Sequence, residues 1–418
     1  MPSKIYFGLL TLFTFNVNAQ LLTLSVAEDL ALHSDPTAQI YTAQQTRFQA
    51  QAISSSQLTD PMIKLGLANV PIDSFSLTDD PMTQFSIGMS QQFSRGDTLA
   101  LNANNFNLQA QQSVQLSANR QAELKLQIRE LWFDIRFTKL AQQILQKNQA
   151  LFKLNVDNLY RQFELGYKQN QDLINAELEL AKFDDRIAAF AQQEQALRGQ
   201  LLAWIGSQAF EQLDSQIPEW QTSRDYAKQG KVVHYQLLAS HPQVLAAQQA
   251  IDVAENTIEI ANESYKPAFK VDVGYGHREA LDMTTGSARS DLLSGSVTMN
   301  IPLFTGNRQD QVVIAATQGK GIKKAEKDLL LIKFNGILNG AIANFLNTES
   351  RLQRYQDTLL PHAKRNTEAS LQGYQLNTNN FEQIIKAFMD EQALELEYQQ
   401  LHFQSLKTLA RIRYFQAL

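Results

Sequence analysis

The chain repeats itself. Ser34-Asp35-Pro36 recurs as Ser240-His241-Pro242 and Asp60-Pro61 as Lys266-Pro267, so both prolines return 206 residues on, as Lys64 does in Lys270. Ser86-Ile87-Gly88-Met89 then matches Ser296-Val297-Thr298-Met299 at an offset of 210, and Gly96 matches Gly306. At an offset of 211, Phe163-Glu164-Leu165-Gly166 faces Tyr374-Gln375-Leu376-Asn377, and Leu173-Ile174-Asn175-Ala176 faces Ile384-Ile385-Lys386-Ala387. The slow drift means that the second copy has gained a few loop residues. A duplication of this size obliges each half to supply the same elements in the same order.

That order is helix, two short strands, a very long helix, a tight reversal and a returning helix. The expected fold is mainly α with a small β part. Residues 20–206 form the first repeat, 207–232 a linker and 233–418 the second repeat. The opening helix runs from about Ser25 to Ser55 and stops before Pro61, which cannot continue it. Strands are expected at about 62–70 and 83–93, then again at about 268–277 and 292–303. Long helices are expected at about 97–165 and 170–206, and at about 307–376 and 380–415.

From Asp97 to Leu165 there is no glycine or proline, a run of 69 residues. As one helix it would extend about 100 Å at 1.5 Å per residue. Leu124, Ile128, Leu131 and Ile135 step by three and four along it, as do Leu173, Ala176, Leu180, Phe183, Ile187 and Phe190 on the return, which is a coiled-coil seam. In the second copy Pro361 should bend or break the helix near residue 360. Gly166 and Asn377 sit at the two reversals, the residue types that best tolerate a left-handed helix end.

The strands alternate. Ile63, Leu65 and Leu67 oppose Lys64, Gly66 and Ala68; Phe85, Ile87 and Met89 oppose Ser86, Gly88 and Ser90. Phe269, Val271, Val273 and Tyr275 likewise oppose Lys270, Asp272, Gly274 and Gly276, and Val297, Met299 and Ile301 oppose Ser296, Thr298 and Asn300. Four such strands make a narrow sheet with two open edges and no second sheet to cover the apolar face. Joining several copies edge to edge would close a barrel, apolar face to lipid and small polar face to a water-filled lumen. Lys64, Lys270 and Asp272 would then line the lumen. Phe93, Tyr265 and Phe304 are candidates for a membrane-interface girdle.

The first 19 residues read as an export signal. Lys4 gives a positive start, Ile5 to Phe15 is apolar, and Val17-Asn18-Ala19 is a small-residue cleavage site. Gln20 stands where a lipoprotein would need cysteine. Beyond residue 19 no stretch is expected to span a bilayer as a helix, which takes about 20 apolar residues, so insertion would have to use strands.

The remaining composition excludes much chemistry. The chain has no cysteine, which removes disulfides and thiolate chemistry. With 37 basic and 42 acidic residues it has no basic field for nucleic acid. The motifs HExxH, GxSxG and the P-loop are absent, and the six histidines are scattered singly. The seven methionines form no metal-binding tract, and Trp132, Trp204 and Trp220 read as packing residues. No catalytic residues, cofactor or metal site are expected, and the chain is not expected to be an enzyme.

The duplicated order, Ser240-His241-Pro242 opening a helix that leads to Tyr265-Lys266-Pro267, the stretch Ile301-Pro302-Leu303-Phe304-Thr305-Gly306-Asn307-Arg308, and the reversal Phe163-Glu164-Leu165-Gly166 together resemble the outer membrane factor family. These are the TolC-like exit ducts, and the likeness is to the branch serving resistance-nodulation-division and heavy-metal efflux pumps. The resemblance implies a homotrimer with a single transmembrane β-barrel continued by a periplasmic α-helical coiled-coil tunnel, in the outer membrane of a Gram-negative bacterium. Residues near Gly206 to Lys231 would belt the tunnel.

Partners implied are outer-membrane lipid, a periplasmic adaptor protein and an inner-membrane resistance-nodulation-division pump. Leu165, Gly166, Leu376 and Asn377 would be the adaptor-contact tips. Aspartates that narrow the tunnel mouth in the family fall here on Gln383 and Lys386, while Asp172 and Asn175 stand at the equivalent places of the first reversal. Asp172, Gln383 and Lys386 are therefore the aperture candidates. The function implied is passive conduction of small toxic solutes, drugs or metal ions, in a tripartite system. The alternatives are an exit duct for type I protein secretion and a soluble periplasmic coiled-coil scaffold.

Overall fold

The structure is a computed structural model that describes residues 21–167, 169–282, 284–376 and 378–418. The export signal read at residues 1–19 and the reversal residue Asn377 lie outside them. In chain order the elements are α1 (Leu24–Ser34), α2 (Pro36–Ser55), β1 (Met62–Ala68), β2 (Gln84–Phe93), α3 (Thr98–Glu164) and α4 (Asn170–Ile205). A 3-10 turn, Gly206–Phe210, leads to α5 (Gln221–Ala227), α6 (Tyr235–Leu238) and α7 (Pro242–Glu263). Then come β3 (Ala268–His277), β4 (Leu292–Asn300), α8 (Gln309–Arg354), a π turn (Tyr355–Leu359), α9 (Leu360–Gln375) and α10 (Phe381–Phe415). The chain is mainly helical with one small antiparallel sheet.

Two expectations are corrected and a third is narrowed. The opening helix is two helices, because Pro36 starts α2 and holds Asp35 extended at φ −70°, ψ 110°. Of the bend or break expected near Pro361, the break does not occur. The π turn ending at Leu359 precedes it, and the backbone stays right-handed helical through Leu360 into α9. A wider turn just before the proline relieves the clash of its ring with the preceding carbonyls. Finally, one helix among the described residues, the continuous stretch Gln309–Gln375, is long and apolar enough by composition to cross a membrane. Phe334, Leu338, Ile342 and Phe345 in that stretch are buried, so part of its apolar content is taken up by packing within the chain.

The chain forms two compact units. The first takes residues 21–35, Glu123–Lys231 and Asn339–Tyr414. One of its cores gathers Ala27 and Ala31 of α1, Leu124, Ile128, Trp132 and Ile135 of α3, Leu201 and Ile205 of α4, and Phe403 and Leu406 of α10. The other joins Leu145, Phe152 and Leu159 of α3 to Leu173, Ala176 and Phe183 of α4 and to Ile384 of α10. Both draw on the residues spaced by three and four, as burial of one helical stripe requires. Phe152 stands at the centre of the second, with ring centroids 5.9 Å from Phe183 and 5.6 Å from Phe388.

The segment after α4 is tied down by arginines. Buried Arg198 donates to the carbonyls of Ala209 and Glu211 and to Glu194. Arg136 donates to the carbonyls of Asp214 and Ser215. Trp220 adopts a left-handed backbone (φ 44°, ψ 47°), and the guanidiniums of Arg129 and Arg413 lie 5.2 and 5.7 Å from its ring.

The second unit comprises Pro36–Ala122, Val232–Leu338 and Phe415–Leu418. It contains the sheet, in the order β1-β2-β3-β4. Helices α3 and α7 meet there through polar side chains, Asn256 donating to the Leu101 carbonyl and accepting from Asn104. Where strands give way to helices, the backbone N–H of Asp97 donates to buried Glu263 at 2.7 Å, and Lys266 pairs with the same carboxylate at 2.7 Å. Gly96 makes this knot possible, since an added Cβ would collide with Glu263 and Lys266 and its φ is +42°.

Candidate functional site

Two regions carry the sequence-derived candidates, and each lies within one unit. The first is the sheet. Register places Lys64 opposite Gly88, Gly88 opposite Gly274 and Gly274 opposite Ser294, a row of one lysine and small residues. Ser90, Asp272 and Ser296 form the next row, and Gln92, Lys270 and Thr298 the one after. Lys64, Lys270 and Asp272 thus share one face, where Lys270 and Asp272 form an ion pair of 2.7 Å. A hollow of about 750 Å³ lies over it, lined by Lys64, Ser86, Ser90, Lys270 and Asp272 among others. Gly276 leaves room for the Gln84 side chain, whose amide occupies the place of a Cβ.

The opposite face is mostly apolar, with Gln91 and His277 as polar positions toward its two ends. Leu65 pairs with Ile87, Ile87 with Tyr275 and Tyr275 with Leu293; Ile63, Met89 and Val273 make the next row. Leu65 is 74 % exposed and Leu293 80 %. Among the described residues no element of this unit covers that surface, and both β1 and β4 end the sheet with one edge unpaired.

The second region is the pair of helix reversals, in the first unit. Gly166 has φ +76°, and its N–H bonds the Phe163 carbonyl while the Tyr167 N–H reaches back to Gln162, each at 2.9 Å. That pair of bonds is a Schellman ending, which needs a left-handed residue at the turn. At the second reversal the Thr378 N–H bonds the Gly373 carbonyl at 2.8 Å, the counterpart of the bond from Tyr167 to Gln162 at the offset of 211. Leu165 and Leu376 are 69 % and 74 % exposed. A hollow of about 650 Å³ is lined by Leu165 and Tyr167 from one reversal and by Tyr374 and Gln375 from the other, so the structure brings the two ends together.

Of the aperture candidates, Asp172 occupies the first turn of α4, where a carboxylate is favoured by the helix dipole. Burial first, and then the charge of Asp172, push the Tyr374 phenol above its ordinary range, while its hydroxyl bonds Gln162 at 3.0 Å. Gln383 caps its own helix. Its side chain accepts from the Asn380 N–H at 3.2 Å, and its own N–H donates to the Asn380 side chain at 3.0 Å. This reciprocal cap is readable as Asn-x-x-Gln ahead of an apolar run. Lys386 is exposed, one turn further on. Sequence reasoning misses Tyr374 and Gln162 as candidates, although the polar tip of a tyrosine on an otherwise apolar helix face needs a partner.

Residues 233–376 match the model of the outer membrane efflux protein family. That match spans 144 of the 418 residues. Among solved structures, CusC, described for the conformational changes that accompany its folding and transmembrane channel formation, superposes with a TM-score of 0.75 at 14 % identity, over 94 % of this chain and 91 % of that one. The outer membrane protein VceC of Vibrio cholerae gives 0.74 at 13 %, over 94 % and 96 %. The open MtrE outer membrane channel of Neisseria gonorrhoeae gives 0.72 at 12 %, over 94 % and 88 %. At such identities the likeness is one of fold. No curated protein matches the chain in sequence. The family matched over residues 233–376 is one of transport in the outer membrane.

Proposed function

We propose that three copies close their sheets edge to edge into one twelve-stranded barrel through the outer membrane, and that the duplicated helices continue it as a periplasmic tunnel. The duct conducts small toxic solutes passively, as the exit of a tripartite system completed by a periplasmic adaptor and an inner-membrane resistance-nodulation-division pump. The observation that carries this reading is the uncovered apolar face on a four-stranded sheet with two free edges. In water such a face and such edges would aggregate, whereas a closed barrel in lipid satisfies both.

In this reading Lys64, Lys270 and Asp272 face the lumen. Leu165, Gly166, Leu376 and Asn377 meet the adaptor, and Asp172, Gln383 and Lys386 line the periplasmic mouth. The apolar window in the helix Gln309–Gln375 supplies helix packing and not a membrane span, consistent with its buried face and with Asn335, which receives the His234 N–H at 2.9 Å. The test is to extract the protein from the outer-membrane fraction in detergent, measure its mass by native mass spectrometry and record conductance in planar bilayers. A trimer that conducts is expected; a water-soluble monomer overturns the reading.

A further inference from the structure

We propose that Lys64 forms a ring of uncompensated positive charge in the barrel and biases the solutes that cross it toward anions. This rests on the trimeric-duct reading above. The register assigns every strand residue to a face, and on the small-residue face the charged side chains are Lys64, Lys270 and Asp272. Around them stand Gln84, Ser86, Ser90, Gln92, Ser294, Ser296, Thr298 and Asn300, all neutral. Lys270 is neutralised by Asp272 at 2.7 Å. Lys64 has no ion pair among the described residues, and its neighbours along the row are Gly88, Gly274 and Ser294. Nothing beside it in the row carries a compensating charge, so three copies leave three ammonium groups at one level of the wall.

The size of the bore decides when this charge is felt. Twelve strands about 4.8 Å apart and tilted about 40° close at a backbone diameter of roughly 24 Å. The screening length is about 30 Å at 0.01 M salt, about 10 Å at 0.1 M and about 3 Å at 1 M. In dilute salt the ring therefore acts across the whole lumen, and in molar salt only on ions that touch the wall. The outer loops have the opposite sign: Asp73, Asp79, Asp80, Glu279, Asp282 and Asp291 outnumber Arg278 and Arg289. Solutes leaving the duct thus pass a basic wall and then an acidic mouth, and the contribution of Lys64 is read as a difference between variants.

The experiment is reversal-potential measurement in planar bilayers under a potassium chloride gradient centred near 0.01 M and again near 1 M. Lys64→Glu should lower the chloride-to-potassium permeability ratio by about twofold or more in dilute salt, with the effect shrinking in molar salt. Lys64→Gln should give a smaller shift of the same sign. Lys270→Gln, which frees Asp272, should move the ratio the same way, and Asp272→Asn the opposite way. Trimer mass by native mass spectrometry checks that each variant assembles, and the neutral Lys64→Gln serves where Lys64→Glu does not. Conducting trimers of both Lys64 variants with the wild-type ratio in dilute salt would overturn the inference while leaving the duct reading intact. A wild-type protein that forms no pore would overturn both.

Discussion

Arg198 and Glu194 show how single side chains hold a segment that has little regular structure of its own. Glu194 lies four residues before Arg198 on α4, and their ion pair of 2.8 Å is largely buried. The guanidinium also takes the Ala209 and Glu211 carbonyls, so Arg198→Leu would strand two acceptors and one carboxylate. A loss of about 3–5 kcal/mol is expected, visible as a lower thermal midpoint of the detergent-solubilised protein. Burial pushes the Glu194 carboxyl up, but hydrogen bonds from Arg198 and Gln142 outweigh it and hold the group below its ordinary range. A carboxylate depressed in the folded state stabilises above its unfolded value, about pH 4.3, and that stability is lost as the pH falls through the lower folded value. Glu194→Gln should therefore be less stable than wild type at neutral pH, with the gap narrowing toward about pH 3; equal gaps at both would contradict the assignment. Gly166 presents a different case, because an added Cβ there meets nothing within 4 Å. Only its φ of +76° opposes a side chain, which costs about 1–2 kcal/mol. Gly166→Ala should speed amide exchange at Tyr167 by roughly five- to thirty-fold and leave the sheet untouched.

Among the elements, the strands and the helix seams are legible in the sequence because each has a regular period, two along a strand and three to four along a packed helix. Alternation at Met62–Ala68 and Ala268–His277 marks a face that stays exposed in the single chain, whereas steps of three and four at Leu173, Ala176, Leu180 and Phe183 mark a stripe that helix packing takes up. Breaks are less legible. Ser240-His241-Pro242 reads as a helix start, and its first-copy equivalent Ser34-Asp35-Pro36 starts α2 by the same geometry, yet the continuous helical pattern on either side conceals it. Pro361 poses a steric problem without choosing its solution, since a bend, a break and a π turn all relieve the same clash. The apolar stretch of α8 is hidden by charged residues on either side, Lys320 to Asp328 before it and Glu349 to Arg354 after it. Long-range partners such as Arg136 with the carbonyls of Asp214 and Ser215 leave no local signal at all. The seam itself is testable. Phe152, 1 % exposed and packed on Phe183 and Phe388, should lose about 3–5 kcal/mol on change to alanine, and protease resistance of the helix pairs near the reversals should fall with it.

For the whole molecule the deciding question is what the apolar face of the sheet meets. Val297 and Ser296 are adjacent on β4, one on the apolar face opposite Val271 and the other on the small-residue face opposite Asp272. Both positions are exposed in the single chain, so a sheet that stayed in water would accept an arginine at either. A barrel in lipid would not treat them alike. At the bilayer midplane an outward arginine costs about 2–4 kcal/mol, whereas a lumenal one remains hydrated and, here, lies across from a carboxylate. Val297→Arg should therefore reduce the yield of trimers in the outer-membrane fraction and lower their heat resistance. Ser296→Arg should assemble at wild-type levels and, by adding charge to the lumen wall, alter the permeability ratio without altering yield. If the two variants assembled equally well, the apolar face would not be in contact with lipid, and the free edges of β1 and β4 would need a partner other than further copies of this chain.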